Sequence, residues 1–169
     1  MKTATAAEFE RLAETLADLA RVEYMSGTQV NPKVLFMGLD PESTDQNAYR
    51  FGFAAVEELF SNAEGIPGPV LVSALVDKLS KDPEILVVGF MAEAWQASYS
   101  PEERQRLGNN LPRPEEAPNR EEVLLLNLRS ADCAATKILP LTRDGEKTII
   151  GEGALVFCKG PGTPGKTVH

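Results

Sequence analysis

The chain has 169 residues, of which 43% are apolar and 25% charged, with a net charge of −8. That length and composition suit one globular domain with a core of its own, needing neither disulfide nor metal to hold it together, and no apolar run reaches the ~20 residues that span a bilayer. The acidic balance argues against a surface built to neutralise nucleic-acid phosphates or to dock on anionic lipid.

At the N-terminus, Glu8, Glu10 and Glu14 interrupt what would be the apolar region of a secretory signal, so a cytoplasmic location is expected. Residues 5–24 instead predict an amphipathic helix. Phe9, Leu12, Leu16, Leu19 and Ala20 recur at three- and four-residue spacing, Thr5 and Glu8 match a capping box, and Gly27 supplies a stop. VLFMGL, residues 34–39, suits a buried strand, and the Asp, Pro, Ser, Thr and Asn cluster of residues 39–47 suits a loop. A second helix is expected over residues 52–62, with Val56, Leu59 and Phe60 inward, followed by a break at residues 64–69. Pro69 then opens a third helix, residues 70–81. Its stripe is Leu71, Leu75, Val76 and Leu79, and Val70 and Val72 add apolar surface on other sides, which predicts a well-buried helix; periodicity leaves a strand over residues 70–76 open.

The run ILVVGFMAEAWQA, residues 85–97, is apolar on both faces up to Ala92 and predicts a central strand covered on both sides. A proline-rich loop follows at residues 100–119, with one helical turn over residues 101–107. The last third predicts a β-meander: strands at residues 121–130 and 133–142, a hairpin turn at Asp144-Gly145, and a returning strand over residues 147–160 with a bulge at Gly151 and Gly153. A two-residue loop of Asp144-Gly145 places Arg143 opposite Glu146 and, by extension, Cys133 opposite Val156, with Cys158 diagonal to Cys133 and badly placed for a disulfide. The Gly- and Pro-rich residues 161–169 are expected to be a disordered tail behind a single domain of residues 1–160. The fold class that follows is α+β: a mostly antiparallel sheet of about four to five strands with a C-terminal β-meander, and two to three helices packed on one face.

Chemistry is constrained by what is missing. The single histidine is the terminal His169, so the fold contains no Ser-His-Asp or Cys-His constellation, no HExxH zinc site and no histidine proton shuttle. Cys133 and Cys158 form no CxxC pair and read as buried structural thiols. The glycines of residues 151–153 and 160–165 do not make a phosphate loop, and no cofactor is expected. Glu93 carries the sharpest question, because it shares a strand face with Val87, Met91 and Trp95. As a reactive group it would be a buried acid of raised pKa; as a structural one it closes the strand, pairs with an arginine such as Arg120 and anchors the following loop, which is the reading adopted. Asp40, Glu93 and Glu122 at converging strand ends form the alternative, a carboxylate set able to hold Mg²⁺. Trp95 and Arg120 are the candidate binding residues. The acidic segment of residues 40–64, where Asp40, Glu42, Asp45, Glu57, Glu58 and Glu64 stand against Arg50 alone, gives a further alternative, an inhibitor that mimics nucleic acid.

EAW (Glu93 to Trp95), P-x-REEV ending at Val123, and PLTRDG (Pro140 to Gly145) occur in that order, and over roughly residues 79–151 the chain resembles a set of uncharacterised bacterial and phage-associated proteins that share these motifs. The resemblance implies no activity. The sequence therefore leads to a non-enzymatic interaction or regulatory protein that uses the sheet rim and the loop of residues 98–119 towards a protein partner. A homodimer through an exposed sheet edge is a second option, and the alternative is a carboxylate-dependent, metal-assisted enzyme centred on Glu93 with Asp40 or Glu122.

Overall fold

The Thr5 hydroxyl accepts a hydrogen bond from the Glu8 amide while the Glu8 carboxylate accepts from the Thr5 amide, and this closed pair starts helix α1, Ala6–Ser26. The computed structural model describes residues 3–27, 29–46, 48–60 and 65–158. After α1 come strands β1 (Lys33–Leu39) and β2 (Tyr49–Ala55), helices α2 (Glu57–Phe60) and α3 (Gly68–Ser80), and strand β3 (Ile85–Gln96). Helix α4 (Pro101–Leu107) and two short 3-10 turns fill the next connection, before β4 (Glu121–Arg129), β5 (Ala134–Asp144), β6 (Lys147–Ile150) and β7 (Leu155–Cys158). The expected tail of residues 161–169 and the expected end of the second helix at Asn62 lie outside the described residues.

Among the described residues the strands form one antiparallel seven-stranded sheet in the order β2-β1-β3-β4-β5-β6, with β7 also paired to β5. It is larger than the expected four to five strands for two reasons. Residues 49–55, the last four of which fall in the expected helix of residues 52–62, pair along their whole length with β1, from Lys33↔Ala55 to Leu39↔Tyr49. The final run also divides into two strands. The α+β class, the antiparallel sheet and the C-terminal meander hold.

The helices pack on both faces of the sheet, not on one. Phe9, Leu12, Leu16 and Ala20 of α1 join Leu35, Met37, Val87, Met91, Leu124 and Leu126 in the larger core. Val72 of α3 joins Val34, Val56 and Val88 on the other side, with Leu75, Val76 and Leu79 packed around them. The physical reason is the two-sided apolarity of β3, since a strand with no polar face buries itself only between two layers. A register shift in the β1–β3 ladder, Met37↔Val87 followed by Gly38↔Ile85, is a bulge that puts Leu86 and Val87 together in the α1 core. Helix α3 is less buried than the well-buried helix expected: Val72 is enclosed but Val70 faces solvent.

Polar clamps fix α1 along both flanks. Lys137 on β5 is buried and reaches Glu14 at 3.0 Å and Glu10 at 3.3 Å. Burial pulls its ammonium towards neutrality, but the two carboxylates outweigh that and hold its pKa above the ordinary lysine value. On the other flank Lys33 donates to Glu23, and near the N-terminus the Tyr49 hydroxyl donates to Glu8 at 3.1 Å.

The C-terminal hairpin turns one residue later than expected, on Gly145-Glu146, because Gly145 supplies the positive φ and Asp144 pairs with Lys147. Arg143 therefore faces Thr148, not Glu146. The expected bulge is present between β6 and β7. There the ladder to β5 shifts by a further residue, so Cys158 sits across from Ala134, and Val156 pairs with Thr136, not Cys133. Both thiols are free; Cys133 is half-buried and Cys158 exposed, which corrects the reading of both as buried.

Candidate functional site

Glu93 lies on the α1 face of β3, where the strand runs out from under the helix, and is in register with Leu124. Its Oε1 accepts from the Tyr24 hydroxyl at 2.6 Å and from the Val30 amide at 2.9 Å. Its Oε2 lies 3.3 Å from the Arg143 guanidinium. Arg143 also donates through Nε to Glu122 at 2.9 Å and through a terminal nitrogen to Thr148 at 2.7 Å, and sits 5.5 Å from the centre of the Tyr24 ring. Four strands and the last turn of α1 thus meet at one arginine held between two carboxylates. Burial and the Glu93 hydrogen bond push the Tyr24 phenol well above its usual pKa. The Glu122 hydrogen bond, ahead of the cost of burial, holds Arg143 firmly cationic.

The expected pairing of Glu93 with an arginine is therefore made, but the partner is Arg143. Arg120 instead places its guanidinium 5.1 Å over the ring of half-exposed Trp95 and donates to the Glu115 carbonyl at 3.1 Å. The two residues singled out for binding stack on each other at the start of β4. Asp40 stands at the far end of the sheet from Glu93. Its Oδ1 accepts from the Glu42 amide at 3.0 Å and shapes the turn after β1, next to the exposed Arg50–Glu84 pair at 2.7 Å. Since β1 and β3 run antiparallel, most of the length of β3 separates Asp40 from Glu93, roughly 20 Å or more. Glu93 and Glu122 are brought together, but around a cation. Among the described residues, no three His, Cys, Asp or Glu side chains are grouped to hold a metal ion.

Both carboxylates and the guanidinium are engaged, so the group ties the C-terminal turn of α1 to β3, β4 and β5. Tyr24 is the member the sequence analysis missed, although it continues the buried stripe four residues beyond Ala20.

A different surface opens on the α3 face. Helix α3 packs over β3 and touches β4, and beyond it on that side Val123 at the start of β4 is buried while Asn127 of β4, Ile138 of β5 and Val156 of β7 are exposed. The result is a groove of about 590 Å³ lined by Val72, Val76, Phe90, Ala92, Leu125 and Thr136. Beyond it the same face continues to Ile138, 36% exposed, and Val156, 59% exposed. The floor is apolar or neutral, and the Arg129 guanidinium at its rim is paired with Asp77 at 3.1 Å. Glu93 contributes to this floor, but strand alternation directs its carboxylate to the opposite face. Among the described helices none is long and apolar enough to cross a membrane. No protein-family model, curated protein or solved structure matches the chain.

Proposed function

We propose that this is a small cytosolic interaction protein, acting without catalysis, that takes the apolar face of an amphipathic helix from a partner protein into the groove beside α3. The observation behind this reading is the apolar groove beside α3, continued on the same face by exposed Ile138 and Val156. Strands lie about 4.8 Å apart, so β4, β5 and β7 offer about the width on which one helix packs, and helices packed side by side stand 8–10 Å apart. A partner helix laid parallel to α3 would complete the layer that α3 begins. The groove floor of Phe90 and Leu125, with exposed Ile138 and Val156 beyond it, asks for apolar side chains at helical spacing. The rim charge is already neutralised by Asp77, so it does not demand a charged ligand.

The test is affinity capture from the native host with wild-type protein and with Ile138→Lys, followed by mass spectrometry and mapping of the retained segment. The expected result is one partner near stoichiometry, bound through a segment with apolar residues at three- and four-residue spacing, and lost with Ile138→Lys. Absence of any such partner, or equal retention by the variant, would remove this reading.

A further inference from the structure

The two edges of the sheet are built differently. On the β5 side, β6 and β7 are four residues each, and residues 151–154 between them shift the register. The Gly151 amide donates to the Pro140 carbonyl at 2.7 Å, and Lys147 and Glu152 add charge. Short, bulged and charged edges resist pairing with another chain. Strand β2 is neither short nor bulged. It is seven residues long, keeps one unbroken register with β1 and contains no proline. Its one charged residue, Arg50, is occupied by Glu84. Among the described residues, no strand pairs with its outer edge.

The side chains on that edge are apolar above and below. Phe51 and Phe53, 44% and 68% exposed, project on the α1 face, since their register partners Met37 and Leu35 belong to the α1 core. On the other face the Phe36 ring lies across Gly52, where a Cβ would come within 2.3 Å of it. The centre of the strand, Phe51-Gly52-Phe53, also reads the same in both directions about Gly52. From the unpaired edge, the exposed rings and this symmetry we infer that β2 pairs antiparallel with β2 of a second copy, about a two-fold axis through Gly52.

That register sets Phe51 of each copy opposite Phe53 of the other, so four rings cluster in the valley between the two α1 helices. Arg50 falls opposite Ala54, and no like charges face each other along the seam. A two-fold contact requires a patch that complements itself, which a Phe-Gly-Phe centre does. Aromatic side chains bury about 150–250 Å² each, so the exposed parts of these rings supply roughly 200 Å² per copy. With the strand pairing added, the contact stays below the ~800 Å² per partner of a standard interface. The dimer is therefore reversible and depends on concentration.

Sedimentation velocity over a dilution series tests this. Wild-type protein is expected to show a monomer–dimer equilibrium, and Phe53→Lys to weaken it at least about ten-fold, the loss of a central aromatic anchor. Phe53 is mostly solvent-exposed, so circular dichroism should report an unchanged fold; Phe51→Lys serves as the second variant. Val156→Lys, on the α3-side groove, should leave the equilibrium as in wild type. A monomer at every concentration, or dimerisation unaffected by both phenylalanine variants, would overturn the inference. Loss of the dimer with Val156→Lys to the same degree would overturn it too, by moving the contact to the groove and leaving β2 free.

Discussion

Tyr24 joins two parts of the molecule through one hydroxyl, which donates to Glu93 across the gap between the end of α1 and β3. Removing it in Tyr24→Phe keeps the ring under Arg143 but leaves Glu93 Oε1 with only the Val30 amide. A hydrogen bond to a charged acceptor contributes about 1.5–3 kcal/mol, and partial solvent access puts the cost here near the lower bound. The same bond has a pH signature. An unfolded tyrosine titrates near pH 10, whereas burial and the Glu93 carboxylate raise the folded phenol above that. Between the two values the folded protein holds a proton that the unfolded chain has released. The stabilisation is therefore complete below pH about 10 and is lost as the pH climbs towards the folded value. Urea unfolding at a series of alkaline pH values should show wild-type stability falling more steeply above pH about 10 than that of Tyr24→Phe. Parallel slopes would mean that the phenol is not engaged by Glu93 as described. Lys137, also raised, contributes a decline of the same sign, but equally in both proteins.

At the scale of elements, the join between β6 and β7 is where the chain has least room. A Cβ on Gly153 would stand 2.1 Å from the Ile138 carbonyl oxygen, a backbone atom that cannot swing aside. Gly153→Ala should therefore force β7 away from β5, at about 1–3 kcal/mol, the usual cost of overpacking. Hydrogen exchange should speed up at the β7 amides while β3 stays protected; unchanged β7 protection would contradict this account of the bulge. Most elements could be read from the sequence where periodicity and capping agree, as in α1 with Thr5 and Glu8, in α4 where Ser100 and Glu103 repeat the same box, and in β3 with its two apolar faces. Strand β2 was not read, because its signal is only the alternation of Tyr49, Phe51 and Phe53, and Val56 to Phe60 just beyond it carries a helical spacing that extends backwards over it. Two-sided coverage of β3 was legible, yet one helical layer was expected; the second layer follows once both faces must be sealed. The partner of Glu93 was out of reach for another reason. It depends on the registers of β3 with β4 and of β4 with β5, and the long connection of residues 97–120 leaves the first of these unfixed by any turn signal.

The whole molecule is an asymmetric sandwich, and the two helical layers should not be equally secure. The α1 layer packs a fully buried stripe across β1, β3 and β4 and is clamped by Lys33, Lys137, Tyr49 and Glu93. Leu16, completely enclosed there, already presses against the glycine of β3: a Cβ at Gly89 would be 2.6 Å from its side chain. The α3 layer buries Val72 with half-buried Leu75, Val76 and Leu79 around it, and borders the open groove. Deleting a buried leucine side chain costs about 2–5 kcal/mol, rising with how completely the site is enclosed. Leu16→Ala should fall near the top of that range and Leu75→Ala near or below the bottom, both measured by urea unfolding. Native-state exchange should separate the layers in the same way, with α3 amides opening at lower free energy than those of α1 and β3. Such a helix would be the part stabilised when a partner helix fills the groove, because contacts made along its open side are missing in the free protein. Equal costs for the two alanine variants, together with uniform exchange of α1 and α3, would mean that the sandwich is secured evenly and that α3 has no reserve of stability for a partner to supply.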